Sequence, residues 1–446
     1  MQRDLSSNLN EWVRDDHRKP LVIRGARQVG KSWLVKRLGK QFSNFVEINF
    51  DRNPELASLF EQTVEPQKLI NLLSNYSGIQ IIAGKTLLFL DEIQICRRAI
   101  TSLRYFYEEM PDLHVIAAGS LLDFELNKIS IPVGRISFLY VYPLSFGEFL
   151  SALKKENLRK MIIENEANKL PEIFHNQLIN FTGIYSFIGG MPEVVQRYID
   201  TDDLKKCMEI QSDILQTYKK DFNKYAKKHQ IKYLEKVFTS IPFQTGTKFK
   251  FVSVSRDHKS KDLLEALDML CMAGVANIVY HSSSNGVPIH SEIDIKKFKV
   301  FFFDIGLAQR ILGLDFRPLM LNPDISQINN GAIAELFTAQ ELTAYSNPRE
   351  EYYLHYWHRE AKSSNAEIDF VIEKNGIIIP IEVKSGSVGK MRSLKLFMES
   401  KKTICGIKIS TYPFSLVNNV QSIPFYGIEV LSKKSLPCSK MNRIVN

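Results

Sequence analysis

Short apolar runs alternate with segments of helical spacing through the first 150 residues of the chain. Strands are predicted at the start of LVIRGARQVGKSWLVKRL and in FVEINF, TLLFLDEIQ, HVIAAGS and SFLYVYPLS. Between them apolar residues recur as in a helix, for example Leu34, Val35 and Leu38. This alternation indicates a parallel α/β sheet, which binds its ligand at the carboxyl ends of the strands. We therefore predict an α/β domain over residues 1–150.

The pattern then becomes helical and rich in lysine. The stretch TYKKDFNKYAKKHQIKYLEK fits either a nucleic-acid surface or a solvated helix whose aromatic residues pack inward. Further on, Leu263, Leu267 and Leu270 share one face of a helix that should stop at Gly274, before a strand and a Ser/Gly turn. Helix followed by hairpin resembles the second half of a winged helix, so a helical and winged-helix-like region is predicted over residues 151–290.

A hairpin is the clearest feature of the C-terminal part. Asn375-Gly376 is the strongest two-residue hairpin signal, and both flanks in AEIDFVIEKNGIIIPIEVKS are typical of strands. In a type I′ turn the register sets Asp369 directly opposite Glu382, with Lys384 on the same face. Two carboxylates directly opposite each other on paired strands repel each other unless a cation lies between them. A helix in NNGAIAELFTAQEL is expected to present Glu335 toward these strands, which completes an α/β domain over residues 291–446.

Gly25-x-x-x-x-Gly30-Lys31-Ser32 lies between a predicted strand and a predicted helix, which is the setting of a Walker A loop. The glycines allow backbone N–H groups to surround phosphate oxygens, Lys31 reaches the β- and γ-phosphates, and Ser32 holds Mg²⁺. ATP and Mg²⁺ are therefore the predicted cofactors. The predicted ATP-binding residues of the loop are Gly25, Ala26, Arg27, Gln28, Val29, Gly30, Lys31, Ser32 and Trp33.

The strand TLLFLDEIQ ends in two carboxylates, as a Walker B strand does. Asp91 is assigned to the magnesium shell, and Glu92 is assigned to orient or deprotonate the attacking water. The pair resembles that of the additional-strand, AAA-type ATPases. By that resemblance Ser120 would contact the region of the γ-phosphate. Arg135 is the candidate for an arginine finger or sensor, and the alternative for it is a structural salt bridge.

Length and composition limit the classes of protein further. A chain of 446 residues exceeds what one core organises, so two or three domains are expected, and the net charge of +9 favours polyanionic partners only modestly. No apolar segment approaches the length of a membrane span, and the charged N-terminus carries no secretory signal, which predicts a cytoplasmic protein. Five widely spaced cysteines predict reduced, unpaired thiols.

Together with YPLSFGEFL, GGMPEVV and FFFDIGLA, these motifs resemble a large prokaryotic family of AAA-type P-loop ATPases. Its C-terminal domain of unknown function is similar to PD-(D/E)xK nucleases, in the form Glu…Asp…Glu-x-Lys. The resemblance covers nearly the whole chain; its ATPase motifs are specific and its nuclease motif is degenerate. It implies a restriction-endonuclease-like fold in which Asp369 and Glu382 bind Mg²⁺, Glu335 assists, and Lys384 positions water or stabilises developing negative charge.

The predicted function is an ATP-binding and ATP-hydrolysing AAA-type ATPase with a C-terminal domain for metal-dependent cleavage of DNA or RNA. One alternative is an ATP-dependent switch whose C-terminal domain is an inactive module that binds nucleic acid or protein. Another is a regulatory scaffold in which nucleotide binding controls assembly. The predicted partners are ATP, DNA or RNA and a second copy of the chain, and no membrane.

Overall fold

The computed structural model describes residues 1–120, 124, 134–164, 170–314, 331–359, 366–385 and 391–434. Two sheets organise these residues, and helices cover both. The strands are β1 (Leu21–Arg24), β2 (Asn44–Asn49), β3 (Thr86–Asp91), β4 (His114–Ala118), β5 (Ser137–Tyr140), β6 (Ala276–Ser282), β7 (Ile293–Phe302), β8 (Leu354–His358), β9 (Glu367–Lys374), β10 (Ile377–Val383), β11 (Gly406–Ser410), β12 (Ser415–Val417) and β13 (Val420–Pro424).

The helices divide between the two sheets and the region that connects them. They are α1 (Ser6–Arg14), α2 (Lys31–Gly39), α3 (Ala57–Gln62), α4 (Pro66–Ser77), α5 (Arg97–Glu109), α6 (Phe146–Ala152), α7 (Glu156–Glu164), α8 (Glu172–Ile188), α9 (Pro192–Thr201), α10 (Leu204–Tyr225), α11 (Ile231–Ser240), α12 (Phe251–Val254), α13 (Ser260–Met272), α14 (Ile305–Leu312), α15 (Gly331–Ala344), α16 (Arg392–Lys401) and α17 (Val430–Lys433).

The first sheet is parallel throughout, in the order β2-β3-β4-β1-β5, which confirms the predicted α/β domain. Strand β4 lies between β1 and β3, as expected for an additional-strand ATPase. Every residue of β3 is buried because helices cover both faces of the sheet. The carboxyl ends of β1, β3 and β4 consequently meet at one edge.

The second sheet is mixed, in the order β12-β13-β11-β10-β9-β8-β6-β7. It begins in the region predicted to be winged-helix-like, since β6 pairs with both β7 and β8. Helix α13 does stop at Gly274, whose φ is +70°, but the hairpin that follows is part of the C-terminal sheet, and the resemblance to a winged helix is not confirmed. The predicted boundary at residue 290 falls between two paired strands.

The β9–β10 hairpin has the predicted register. Asn375 and Gly376 have φ angles of +53° and +74°, as a type I′ turn requires, and the ladder runs from Ile377↔Lys374 to Ile381↔Phe370. Asp369 is the next residue of β9, and its Oδ2 accepts a hydrogen bond from the backbone N–H of Val383 at 2.7 Å. The hairpin therefore brings Asp369 to the end of β10 that carries Glu382.

Buried carboxylates of the C-terminal part of the chain bond to the segments that follow β5 and α8. Asp304, in the FFFDIGLA motif, accepts hydrogen bonds from the N–H groups of Leu307 and Gly190 at 2.9 and 2.7 Å. Glu341 of α15 accepts from the N–H of Phe146, in the YPLSFGEFL motif, at 3.0 Å. Burial raises the pKa of Asp304 to about 6 and that of Glu341 to about 8. The family motifs outside the Walker sites thus meet at the junction of the domains.

The prediction that every cysteine is an unpaired thiol is wrong. Cys405 is disulfide-bonded, whereas Cys96, Cys207 and Cys271 are free. Among the described residues, no helix is long and apolar enough to cross a membrane. The cytoplasmic location stays a prediction.

Candidate functional site

The Walker A loop connects β1 to α2 in the predicted setting. Gly25 and Gly30 have φ angles of +143° and +98°, and a Cβ at Gly25 would lie 2.1 Å from the carbonyl oxygen of Val141. Only glycine fits there, since a side chain would clash with the backbone as well as strain its own. Gln28 also has a positive φ, of +63°, at the exposed turn of the loop.

Lys31 is buried, and its ammonium group donates to the carbonyl oxygens of Gly25 and Ala26 at 2.8 and 2.7 Å. Burial lowers its pKa to about 8, against the raising effect of Glu92 and Asp91. Negatively charged phosphates would favour the charged form and raise this pKa again. Lys31 is thus held at the loop in a position that suits phosphate binding.

Ser32 and Asp91 meet at the edge of the sheet, where Mg²⁺ is predicted. The Ser32 hydroxyl donates to Asp91 Oδ2 at 3.0 Å, and Asn49 Nδ2 donates to the same oxygen at 3.1 Å. Burial raises the pKa of Asp91. A hydroxyl and a carboxylate in contact are oxygen ligands of the kind that Mg²⁺ uses beside nucleotide phosphates, so the residues fit the ion.

Asn49 was not identified from the sequence. It is the last residue of β2 and the register partner of Asp91 on β3. The signal was a polar residue at the carboxyl end of an apolar strand, the same signal that identified Asp91 on the next strand of the sheet.

We expect Asn49→Ala to lower the affinity of the ATP complex for Mg²⁺ by roughly 10-fold to 100-fold, because loss of a hydrogen bond to a metal ligand has effects of this size. The measurement is ATP hydrolysis as a function of Mg²⁺ concentration. Asn44→Ala, at the other end of β2, is the matched control, since Asn44 donates to Gln80 O on the surface. Equal Mg²⁺ dependence in Asn49→Ala and wild type would contradict the assignment.

Glu92 has left-handed backbone angles, with φ at +52°, and its Oε2 accepts from Gln94 Nε2 at 2.5 Å. A non-glycine residue in this conformation stores strain, and such residues cluster at functional sites. Ser120, just beyond β4, is buried and lines a cavity of about 110 Å³ together with Gly25 and Ala26. Both residues therefore lie at the carboxyl edge of the sheet, beside the loop.

The assignment of Arg135 to the nucleotide of its own chain is wrong. Arg135 precedes β5, which runs parallel to β1, so it lies at the amino edge of the sheet, while the Walker loop lies at the carboxyl edge. Its guanidinium forms a salt bridge with Glu108 at 2.8 Å, which is the structural alternative. The assignment rested only on the proximity of Arg135 to the last strand of the sheet and did not take the direction of that strand into account.

Helix α10 of the middle region contacts the Walker loop. Arg27 forms a salt bridge with Asp221 of α10 at 2.7 Å, and the Tyr218 hydroxyl donates to the Arg27 carbonyl at 2.5 Å. Tyr225 stacks on Phe124. Tyr218 and Tyr225 of this lysine-rich segment thus pack inward, which favours the solvated-helix alternative over a nucleic-acid surface.

The remaining loop residues surround the same turn. Val29 is buried, and its carbonyl accepts from Arg3 Nη1 at 2.8 Å. Trp33 is exposed at the start of α2, where the guanidinium of Arg37 lies 5.4 Å from its ring centroid. Every residue predicted to bind ATP, apart from Arg135, therefore lies in the loop or at the carboxyl edge of the sheet.

A second set of charged side chains lies on the C-terminal sheet. We call it the carboxylate cluster. Lys384 Nζ contacts Glu382 Oε1 at 2.5 Å, and the fully buried Lys299 of β7 forms two further salt bridges, at 3.1 Å to Glu335 and 2.6 Å to Glu367. The members of the cluster are Glu335, Glu367, Asp369, Glu382, Lys299 and Lys384.

The cluster holds more acidic than basic groups. Four carboxylates face two lysines, so full ionisation leaves two uncompensated negative charges. Burial, and then repulsion by Asp369, raises the pKa of Glu335 to about 8 and that of Glu382 to about 7. Burial also raises the pKa of Asp369 itself. The site therefore favours protons, or another cation, over bare negative charge.

One buried carboxylate oxygen of the cluster, Glu382 Oε2, has no hydrogen-bond partner among the described residues. Glu382 is 5% exposed, and its Oε2 makes no hydrogen bond with any described residue. An unsatisfied buried acceptor of this kind fits a divalent cation that would lie between Glu382 and Asp369. The described side chains alone, however, do not bring three His, Cys, Asp or Glu residues into metal-binding geometry. Lys299 already occupies the space between Glu335 and Glu367.

The sequence identified Glu335, Asp369, Glu382 and Lys384 but missed Glu367 and Lys299. Glu367 could have been found, because it lies two residues before Asp369 and strand periodicity puts both on one face. Lys299 had only a weak signal, a lysine in a strand whose following residues are all buried.

Three family models match parts of the chain. Residues 17–150 match the AAA domain, residues 184–317 match a domain of unknown function, DUF8612, and residues 330–427 match a second domain of unknown function, DUF4143. The N-terminal domain is therefore similar to the AAA domain of P-loop ATPases, which supports this part of the resemblance. The match to DUF4143 assigns no activity to the C-terminal domain. No curated protein matches the chain.

Solved structures show distant likeness. The Walker-type ATPase PABY2304 of Pyrococcus abyssi is 16% identical, with a TM-score of 0.45, over 70% of this chain and 95% of that one. The Orc1 protein of Aeropyrum pernix, solved in complex with DNA, is 10% identical, with a TM-score of 0.29, over 71% of this chain and 91% of that one. Identities and TM-scores this low do not show what this chain binds.

Proposed function

We propose that the chain hydrolyses ATP at the Walker loop and that its C-terminal domain is a restriction-endonuclease-like, metal-dependent nuclease for DNA or RNA. The first half rests on the contact between Ser32 and Asp91, with Lys31 and Glu92 beside it. In hydrolysis, Lys31 stabilises negative charge on the β- and γ-phosphates, and Glu92 accepts a proton from the attacking water. Mg²⁺, when bound, neutralises phosphate charge at Ser32 and Asp91.

The second half rests on one observation, the excess of acidic groups around the unpartnered Glu382 Oε2. In this proposal Asp369 and Glu382 hold the cation, Glu335 assists, and Lys384 orients the attacking water or stabilises negative charge on the scissile phosphate. A divalent ion would supply a polarised phosphate and a water of lowered pKa. Two uncompensated carboxylate charges match the charge of one such ion.

A second candidate function is supported by Lys299. Its ammonium group contacts Glu335 and Glu367, so it already neutralises part of the cluster without a metal. If Lys299 and Lys384 serve only to stabilise the fold, the C-terminal domain would bind nucleic acid or protein without cleaving it. The Walker domain would then act as a switch for that binding.

Cleavage distinguishes the two candidates. We expect wild-type protein with ATP and Mn²⁺ to nick labelled single-stranded or double-stranded DNA or RNA, and Lys384→Ala to lose this activity by about 10²-fold or more, the size of effect seen when one charge-stabilising group is removed. Lys402→Ala, an exposed lysine after α16, is the matched control. Cleavage of no substrate, or equal cleavage by Lys384→Ala, would support the binding module.

A further inference from the structure

A groove on the C-terminal domain lies between the N-terminal turn of α16 and strands β11 to β13. We call it the basic groove. Its volume is about 790 Å³, within the range of ligand-binding clefts. Arg392 and Lys395 of α16 and Lys408 of β11 supply its charge, and none of the described residues that line it is acidic. The groove therefore complements a negatively charged ligand.

Lys408 connects this groove to the carboxylate cluster. In the parallel pairing of β10 with β11, Lys408 is the register partner of Glu382, and paired residues project from the same face of a sheet. Burial, and then the positive charge of Lys384, lowers the pKa of Lys408. A ligand in the basic groove would thus lie beside Glu382 and Lys384.

The groove also offers an aromatic face and a buried polar atom. Tyr412 is 41% exposed, and Lys408 Nζ lies 4.9 Å from its ring centroid. Phe414 adds apolar surface to the same wall. Ser422 is 8% exposed, and its hydroxyl makes no hydrogen bond with a described residue, which leaves it for a ligand. Cations together with an exposed ring are what grooves use to bind the phosphates and unstacked bases of single strands.

We propose that the basic groove binds a single strand of DNA or RNA and leads it to the carboxylate cluster. Phosphates contact Arg392, Lys395 and Lys408, and a base stacks on Tyr412. The delivery of the strand to a cleaving centre rests on the proposed nuclease function, whereas binding in the groove requires no metal. The competing occupant is an extended peptide paired with β12, the edge strand of the sheet among the described residues. The charged side chains of the lining, Arg392, Lys395 and Lys408, are all basic, which favours the nucleic acid.

Binding without cleavage tests this proposal. A fluorescently labelled oligothymidylate of about 12 nucleotides is titrated with the full chain in EDTA, without ATP, at several salt concentrations. The triple variant Arg392→Gln, Lys395→Gln, Lys408→Gln should bind at least 10-fold more weakly. Its slope of log affinity against log salt should be smaller by about 2, because each single-strand phosphate contact contributes about 0.7. Tyr412→Ala should lose about 10-fold in affinity and keep the wild-type slope.

The control variant Lys220→Gln, Lys227→Gln, Lys228→Gln removes the same charge from exposed positions near the end of α10 and just after it, and should bind as wild type does. The single variants Arg392→Gln and Lys395→Gln, at exposed positions, should each lower the slope by about 0.7 and keep the test valid if the triple variant misfolds.

If the groove variants keep the wild-type affinity and salt slope, the proposal is overturned and the extended peptide becomes the favoured occupant of the groove. An equal loss in the control variant would overturn it in favour of general surface charge. Binding that depends on the groove, together with no cleavage in Mn²⁺, would keep the groove and remove the nuclease function.

Discussion

Glu92→Gln should retain ATP binding and slow ATP hydrolysis by about 10²-fold to 10⁴-fold, the contribution expected of a general base. Glutamine keeps the size of the side chain but cannot accept the proton of the attacking water. Glu92 lies at the end of β3, beside Asp91 and the Walker loop, and its contact with Gln94 Nε2 can persist in the variant as an amide contact. Phosphate release under saturating ATP measures the effect.

Lys31→Ala, unlike Glu92→Gln, should lose tight ATP binding. The variant lacks the buried ammonium group that would meet the phosphates, and also its hydrogen bonds to Gly25 and Ala26. Equilibrium titration with a fluorescent ATP analogue measures the affinity. Lys40→Ala and Glu109→Gln, both exposed, are the matched controls and should behave as wild type. Unimpaired turnover in Glu92→Gln would remove that residue from its role.

Asp369→Asn should stabilise the metal-free protein at pH 8 and abolish its stabilisation by Mn²⁺. The folded-state pKa values of Glu382 and Glu335, about 7 and about 8, are raised above those of the unfolded chain. Wild-type stability without metal therefore falls as the pH rises from about 5 to 8, because the folded state holds protons that the unfolded state has lost. Asparagine removes one repelling charge, so this loss should become smaller, and it can still accept from Val383 N–H.

Thermal melts of both proteins at pH 5 and pH 8, with and without Mn²⁺, measure these changes. A cation at 100 times its dissociation constant would stabilise wild type by about 2.7 kcal/mol and the variant by nothing. Glu399→Gln, exposed on α16, is the matched control. A lysine-stabilised cluster without a metal predicts instead that Asp369→Asn is less stable under every condition, since Lys299 and Lys384 would lose a partner.

Local patterns were sufficient for much of the fold and of both sites. The residues of each Walker motif lie within a few positions of one another. The Asn375-Gly376 turn fixes its own register, so the meeting of Asp369 with Glu382 follows from arithmetic along one hairpin. Asn49 and Lys299 were missed because their partners come from other strands and, for Lys299, also from helix α15. Arg135 was misassigned because strand direction decides which edge of the sheet a residue occupies, and proximity in sequence does not.

Longer-range pairing explains the other differences. The hairpin after α13 has the same local sequence pattern whether it is a free wing or part of a sheet, and pairing of β6 with β8 decides between them. Likewise, no local signal showed that Cys405 would be disulfide-bonded.

The most direct test of the proposed C-terminal metal site is the anomalous diffraction of a crystal grown with ADP and Mn²⁺. We expect two manganese peaks, one at Ser32 and Asp91 and one between Asp369 and Glu382 Oε2. The first peak serves as the internal control for metal access. A peak at the Walker site with none between Asp369 and Glu382 would contradict the metal site. Lys299 and Lys384 would then be the cations that neutralise the carboxylate cluster.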